Sequence, residues 1–440
     1  MNRSQYGFSK IWIIIIILAF CVGGFLIWRY FGASKEAVKM FQGKDYEIKY
    51  LASNQPATQT RNILIYSNLT IQLENPDAPE SISNRPIKLV LEIFKKNLDS
   101  GDIQKIIEIK QNERPAHRGI FAEKRGNYIV VFGLGQTARE EKIFDLSGNL
   151  LQNFEFPPNF DSLSPLVFAE NNELYAYTIL HNYSNEDTGT IKEEEWGTVV
   201  VKNQQGREMI KLSMAEFKEI TNTEHLFNEL NKYYLPESNY LSPVGFRDSQ
   251  NLYLSLQPDF HGPVPGYLFV LNLKTKEIKE ITNIREKELV KNLEYTLNPQ
   301  IGLAYGMKQE QIGLEGELGN PPTELFLIDL DKDEYKIIVK EEELLAGSCI
   351  IDKNGQYLAF NFTQPVFAKE SSEVKLYNLK TKEITSLGKL DDNVFIKAIL
   401  NNGASLVYTD NDGELYLFNV LTKENKQVFD KKYQYIGIWE

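Results

Sequence analysis

One heptapeptide, Asn-Leu-Lys-Thr-Lys-Glu-Ile, occurs twice in this chain, at 272–278 and at 378–384. Around each copy, a segment of alternating apolar and polar residues leads into a charged turn and alternation resumes after it, which is typical of a β-hairpin. Hairpins of this form occupy 268–282, 325–339, 374–387 and 415–429, and weaker relatives occur at 87–109, 141–156 and 197–212. The chain therefore contains about seven related hairpins.

A second type of hairpin lies between the first. The segment that begins at Leu163 aligns without a gap to the segment that begins at Leu241, and 349–362 and 396–410 have the same form, with Asn-Gly at their turns. Together the two hairpins make a four-stranded antiparallel unit, which cannot cover both of its faces and needs a neighbouring unit on each side. The aromatic content of 12% also favours strands. We therefore predict an all-β seven-bladed β-propeller, with six or eight blades also compatible with the spacing.

The last units carry a family resemblance. The segment Asp-Lys-Asn-Gly-Gln-Tyr-Leu-Ala-Phe, 352–360, followed by Lys-Leu-Tyr-Asn-Leu, 375–379, resembles the WD40-like repeat of TolB-type propellers. The similarity extends over about 115–430 and concerns a superfamily with many functions. It implies a propeller fold and no particular ligand, and the amino-terminal domain of TolB has no counterpart in this sequence.

The two ends of the repeat region predict how the ring closes. The first unit, within 62–110, lacks a preceding inner strand, and the tail at 431–440 is a lone strand-like segment rich in aromatic residues. We expect Tyr435–Trp439 to supply the missing strand, so that the propeller spans 61–440. A frayed surface tail is the alternative.

The N-terminus contains an uncharged run from Ile11 to Trp28. As a helix this run would be about 27 Å long, close to the hydrocarbon thickness of a bilayer. We predict a short tail at 1–10, a transmembrane signal anchor at 11–28 and a stalk or linker at 29–60. A cleavable signal peptide normally has a shorter apolar region, and Leu18–Cys21 only partly resembles a lipoprotein signal. The flanking charges do not set the orientation, and the arrangement resembles a signal anchor, so we expect a single-pass protein with an extracytoplasmic propeller at a bacterial cell envelope.

Loop lengths differ between the two sides of the predicted ring. Turns within each hairpin are short, whereas the links between hairpins, which lie at the opposite side, hold the long insertions. We call that side the long-link face; its insertions are 181–196, 257–266, 309–322, 364–372 and a segment with helical apolar spacing, 214–235. Loop drift would lengthen both sides, so a one-sided pattern favours a binding surface. Its aromatic and histidine side chains are the candidate contacts, with packing between loops as the alternative for each: Tyr183, Trp196, Phe260, His261 and Phe367.

The sequence contains few motifs that indicate catalysis, metal binding or nucleic-acid binding. The net charge of -12 argues against a nucleic-acid partner. The four histidines and two cysteines form no zinc motif, and Asp329, Asp331 and Asp333 lack the glycine and glutamate that a calcium loop requires. We therefore expect no metal, no cofactor and no catalytic residues. The sequence favours a non-catalytic binding or scaffolding module with a protein, peptide or glycan partner, or a structural subunit of an envelope complex. The alternative is a propeller-type hydrolase or lactonase with its active site at the central channel.

Overall fold

The computed structural model is built from seven antiparallel β-sheets arranged as a seven-bladed propeller. It describes residues 37–42, 46–52, 62–73, 86–112, 120–134, 140–155, 166–169, 173–179, 197–230, 240–257, 266–287, 289, 295–309, 323–341, 345–363, 373–390, 394–429 and 433–439. The predicted all-β propeller with seven blades is confirmed. The predicted membrane span at 11–28 lies outside the described residues, and no helix within them has the length and hydrophobicity of a membrane span.

Blade 1 is the largest sheet and joins three separate parts of the chain. Its strands in chain order are β1 (Ala37–Gln42), β2 (Tyr46–Ala52), β3 (Ile63–Leu73), β4 (Pro86–Asn97) and β5 (Ile103–Asn112). The last strand of the protein, which is β30 (Gln434–Trp439), pairs antiparallel with β3, with Ile63 opposite Trp439 and Ser67 opposite Gln434. The tail therefore provides the strand that the first repeat unit lacks.

Blades 2 to 7 are four-stranded meanders that follow one another along the chain. Blades 2 and 3 consist of β6 (Phe121–Arg125), β7 (Tyr128–Leu134), β8 (Glu140–Phe144), β9 (Leu150–Glu155), β10 (Val167–Phe168), β11 (Leu174–Ile179), β12 (Thr198–Asn203) and β13 (Glu208–Leu212). Blades 4 and 5 consist of β14 (Tyr240–Phe246), β15 (Asn251–Gln257), β16 (Tyr267–Asn272), β17 (Ile278–Glu280), β18 (Tyr295–Asn298), β19 (Leu303–Gln309), β20 (Thr323–Asp329) and β21 (Glu334–Glu341). Blades 6 and 7 consist of β22 (Leu345–Ile351), β23 (Tyr357–Thr363), β24 (Glu373–Asn378), β25 (Ile384–Lys389), β26 (Phe395–Leu400), β27 (Ser405–Thr409), β28 (Leu415–Asn419) and β29 (Asn425–Gln427). Both predicted hairpin types are present in these sheets.

Neighbouring blades bury one another's faces. Leu64 of blade 1 belongs to the same apolar cluster as Val407 and Leu415 of blade 7, and Ala359 of blade 6 packs with Ile399 of blade 7. The first strands of adjacent blades also contact one another, as β10 does with β14 and β22 with β26, so the first strands lie innermost. The ring is therefore a series of shared cores, as expected for units that cannot fold alone.

The repeated heptapeptide forms the turn between the third and fourth strands of its blade. In the first copy, the Oδ1 atom of Asn272 accepts hydrogen bonds from the backbone amides of Lys274 (3.0 Å) and Thr275 (2.9 Å), and Lys276 adopts a left-handed conformation with φ 62°. The amide of Leu273 donates to the carbonyl of Gln250, in the turn that joins the first two strands of the same blade. The motif therefore satisfies its own turn and ties it to the neighbouring turn.

The same arrangement recurs around the ring. The second copy repeats every one of these contacts, with Asn378 as the cap, Lys382 at φ 64° and Leu379 donating to Gln356. Asn97 in blade 1 and Asn419 in blade 7 cap their turns in the same way. We call the side of the ring that carries these turns the short-turn face. The repetition of the peptide thus has a local cause, because several blades close the same turn.

The predicted linker at 29–60 differs from the structure over 37–52. There β1 and β2 form a hairpin, and β2 pairs antiparallel with β5 at the outer edge of blade 1. Tyr46 and Ile48 of β2 are 2% and 0% exposed, and both belong to the apolar cluster of blades 1 and 2. The physical reason is that this short alternating segment finds an unpaired strand edge and an apolar surface to cover.

Candidate functional site

The five predicted contact residues belong to links that begin and end at the long-link face. Tyr183 and Trp196 lie between β11 and β12, Phe260 and His261 lie between β15 and β16, and Phe367 lies between β23 and β24. All five lie outside the described residues, so their contacts stay a prediction. The strands on either side of each link are paired close to the point where the link begins. The last pairs are Ile179 with Thr198, Leu256 with Tyr267, and Asn361 with Val374.

Two helices lie on the long-link face, within the segment where the sequence predicts a short amphipathic helix. They are α1 (Met214–Thr221) and α2 (Glu224–Leu230). Ser213 and Glu216 form a capping box at the start of α1. The ring of Phe217 is fully buried and meets the ring of Phe269 in blade 4 edge to face, with 4.9 Å between the centroids. The helices are therefore packed onto the ring, while Ile220 is 48% exposed.

A small pocket opens on the long-link face at the junction of blades 7 and 1. Among the residues that the structure describes, its lining combines aromatic rings with hydroxyl groups and contains no carboxylate: Tyr66, Thr409, Gly413, Leu415, Phe429, Tyr433 and Tyr435. We call it the seam pocket, because it lies where the two ends of the propeller meet. In blade 7 the link between the second and third strands is the tight turn 410–414, held by hydrogen bonds to Asp410.

Packed rings form the base of the seam pocket. Tyr66 stacks on Phe94 at 5.3 Å between centroids, and its ring also meets those of Phe429 at 4.3 Å and Tyr433 at 4.9 Å. The ammonium of Lys96 lies 4.6 Å from the centroid of Phe429 and donates to the carbonyl of Val428. The ammonium of Lys96 therefore already interacts with an aromatic ring and a backbone carbonyl of the protein.

Burial sets the protonation of the pocket. Burial, with a smaller contribution from Tyr433, raises the pKa of the Tyr66 hydroxyl to about 12. The hydroxyl is therefore neutral at physiological pH.

A lysine lies on the innermost strand of the same blade. Lys397 stands at a register shift of β26, between Ile396 and Ala398. Burial lowers the pKa of its ammonium, and the nitrogen lies 5.9 Å from the centroid of Phe395, which is 50% exposed. No carboxylate in the described part of the chain lies within ion-pair distance of Lys397. Bulges often redirect side chains at functional sites.

The aspartates that imitate a calcium loop have structural partners. Asp333 accepts hydrogen bonds from the amide and hydroxyl of Thr282, at the start of the short helix α3 (Thr282–Glu286). Asp331 forms an ion pair with Arg247 of the preceding blade, at 3.0 Å. Among the described residues, no group of three or more His, Cys, Asp and Glu side chains could hold a metal ion. These aspartates therefore connect blades 4 and 5.

Sequence reasoning did not identify the seam pocket. Its residues come from three distant segments, 66, 409–415 and 429–435, and they meet only because the ring closes. The available signal was the aromatic tail, which predicted closure but not a pocket.

Comparison with known proteins finds similarity to solved structures at low sequence identity. No protein-family model matches the chain, and no curated protein is similar to it. A prolyl endopeptidase structure is 13% identical, with a TM-score of 0.45, and covers 82% of this chain, which spans about half (49%) of that protein. An oligogalacturonate lyase from Vibrio parahaemolyticus is 9% identical over 87% of this chain and 95% of its own, with a TM-score of 0.41. An uncharacterised protein from Listeria monocytogenes is 9% identical over 90% and 95%, with a TM-score of 0.42. These values carry no inference about what this chain binds or catalyses.

Proposed function

We propose that this chain is a membrane-anchored, non-catalytic binding or scaffolding module of TolB-like architecture at a bacterial cell envelope. In this proposal residues 11–28 hold the extracytoplasmic propeller at the membrane, and the long-link face binds a protein, peptide or glycan. The apolar run from Ile11 to Trp28 supports the anchor.

The observation that carries the proposal is the difference between the two faces of the ring. On the short-turn face, the same turn recurs with its hydrogen bonds satisfied within the blade, as at Asn272 and Asn378. The predicted insertions 181–196 and 309–322 depart from the strand ends of the long-link face, which also carries the helices α1 and α2 and the seam pocket. A rigid scaffold with its elaboration on one side is the usual arrangement of a binding protein.

The described lining of the seam pocket offers no pair of groups that could carry out hydrolysis. Hydrolysis needs a nucleophile or an activated water with a general base, and both must be held within hydrogen-bond distance of the reacting group. The described residues of the lining instead present hydroxyls and ring faces, and burial raises the pKa of the Tyr66 hydroxyl to about 12. The alternative hydrolase or lactonase would have to use groups at the central channel, and Lys397, on the innermost strand of blade 7 and with a pKa that burial lowers, is the candidate tested below.

Peptide and glycan arrays, probed with the detergent-solubilised full chain, test the proposal. We expect Trp196→Ala and Phe260→Ala to lower retention about tenfold or more, as aromatic contacts at the centre of an interface do. The matched control is Leu421→Ala, since Leu421 is 83% exposed but lies on the short-turn face. Equal losses in all three variants would contradict the assignment of the binding face. Turnover of ester or lactone substrates that Lys397→Met abolishes would establish the enzyme instead.

A further inference from the structure

The position of the N-terminal hairpin defines where the preceding chain joins the ring. β5 starts at Ile103, directly after the turn 98–102 of the short-turn face, and runs toward the long-link face. β2 is antiparallel to β5, with Tyr46 opposite Gln111 and Tyr50 opposite Ile107. β1 is antiparallel to β2, with Ala37 opposite Ala52. Ala37 therefore lies at the short-turn end of the outer edge of blade 1.

The hairpin is attached firmly enough to define this exit point. The hydroxyl of Tyr46 donates a hydrogen bond to Glu140 in blade 2, and the ammonium of Lys142 lies 5.4 Å from the centroid of the Tyr46 ring. Lys142 is fully buried, with Glu140 at 2.8 Å and the side-chain oxygen of Asn153 as acceptors. The hairpin thus bridges blades 1 and 2, and the chain that precedes Ala37 starts from a fixed part of the ring.

The chain between the apolar run and the hairpin is short. Residues 29–36 join Trp28 to Ala37, and eight residues reach at most about 28 Å when fully extended. β5, which runs through the outer part of blade 1 from the short-turn face to the long-link face, has ten residues and is about 34 Å long. If the long-link face met the membrane instead, the tether would have to run along most of this strand from Ala37, and a reach of about 28 Å would leave almost no length to meet the bilayer.

We infer that the propeller is held with its short-turn face toward the bilayer and its long-link face turned away from it. The inference rests on the proposed anchor at 11–28. In this orientation the long-link face is accessible to partners in the same compartment, while the short-turn face lies next to the lipid surface.

Fluorescence energy transfer to labelled lipids tests this orientation on the full chain in vesicles. The probe is a donor dye on a single introduced cysteine, with acceptor lipids in both leaflets so that the result does not depend on the direction of insertion. Leu421→Cys and Asp412→Cys lie at opposite ends of blade 7, and Ser100→Cys and Gln72→Cys form a second pair in blade 1; the four side chains are exposed. The background is Cys21→Ala. Cys349 stays in place as a weakly reactive thiol, since burial raises its pKa to about 12.

We expect transfer from position 421 to exceed transfer from position 412 by about twofold, because the two positions are about 20 Å apart along the strands. In blade 1, energy transfer from position 100 should likewise exceed energy transfer from position 72. Equal or reversed efficiencies in a chain that has entered the vesicles would overturn the orientation while the anchor stands. A full chain that does not enter the vesicles would overturn the anchor, and the orientation with it.

Discussion

The two edges of blade 1 are completed by opposite ends of the chain, and they are held in different ways. At the inner edge, β30 adds to β3 through a backbone ladder, and Ile436 and Ile438 fill the apolar clusters on either side. At the outer edge, β2 adds to β5 through a similar ladder, but its tyrosine also enters a buried polar cluster with blade 2. The inner edge has an innermost strand held by a backbone ladder and apolar packing, as the other blades do. The outer edge depends in addition on one specific set of charged and polar groups.

This difference predicts unequal consequences of damage. A strand that closes the ring supports every blade indirectly, because opening the ring exposes two blade faces at once. A strand that extends an outer edge supports only the surface it covers. Four experiments, taken from the largest expected effect to the smallest, separate the two roles.

Removal of 434–440 should have the largest effect. The truncated chain loses β30, so the inner edge of β3 and the apolar faces of blades 7 and 1 become exposed. We expect a loss of more than about 4 kcal/mol in the free energy of unfolding, or loss of cooperative unfolding. Thermal unfolding by circular dichroism, with a chain that lacks 1–52 and therefore the whole outer hairpin as the control, measures the difference. An unchanged melting temperature would show that β30 does not close the ring.

Lys142→Ala should have the next largest effect and should act on the outer edge. It removes a fully buried ammonium and leaves the oxygens of Glu140 and Asn153 without that donor. Breaking a buried charged pair costs about 3 kcal/mol. Urea unfolding of Lys142→Ala, Tyr46→Phe and the double variant gives the coupling between hairpin and blade 2. Strictly additive losses would show that the hairpin is held by its ladder alone.

Asn97→Ala should cost about 1 kcal/mol, by analogy with the loss of a side-chain cap from a helix. Asn97 caps the turn between β4 and β5, the strands that lie between the two edges. Asn378→Ala in blade 6 is the matched variant, and equal losses would show that blade 1 shares the turn energetics of the other blades. Lys380→Ala in an exposed turn is the control. A much larger loss at Asn97 would mean that the outer hairpin depends on this turn.

The pH dependence of stability should distinguish the edges by a smaller margin. Hydrogen bonds from Lys105 and Lys110 lower the pKa of Glu108 on β5 to about 2. Because the folded pKa lies below the unfolded value, this contribution is complete above about pH 4.5 and is lost as the pH falls toward 2; it stays below about 1 kcal/mol for so exposed a group. On β3 the raised pKa of Tyr66 has the opposite sign, so its contribution is complete below pH 10 and is lost as the pH rises toward 12.

Two substitutions check these pH profiles. Glu108→Gln should flatten the acid side of a plot of unfolding free energy against pH, and Tyr66→Phe should flatten the alkaline side. Chemical denaturation at a series of pH values measures both. A Tyr66→Phe profile that matches the wild type above pH 10 would contradict the buried position of this hydroxyl at the inner edge.

Local patterns predicted the blades but not everything attached to them. Strand alternation and turn chemistry lie within about fifteen residues, and both hairpin types were found this way. The hairpin at 37–52 was not, because the edge of β5 and the surface of blade 2 that it covers lie far along the chain. The five predicted contact residues lie outside the described residues: Tyr183, Trp196, Phe260, His261 and Phe367. The seam pocket could not be predicted from local patterns, because it combines Tyr66 with Phe429 and Tyr433.

By itself the sequence determined the repeating unit: the alternation that makes each sheet, the asparagine caps that close its turns, and the aromatic tail that completes the first blade. Only the tertiary structure decided which distant segments meet, which edge receives the N-terminal hairpin, and on which side of the ring the chain departs. The physical reason is that a turn satisfies its hydrogen bonds among neighbours in the chain, whereas a shared core and a ring closure depend on surfaces that exist only once the other blades are in place.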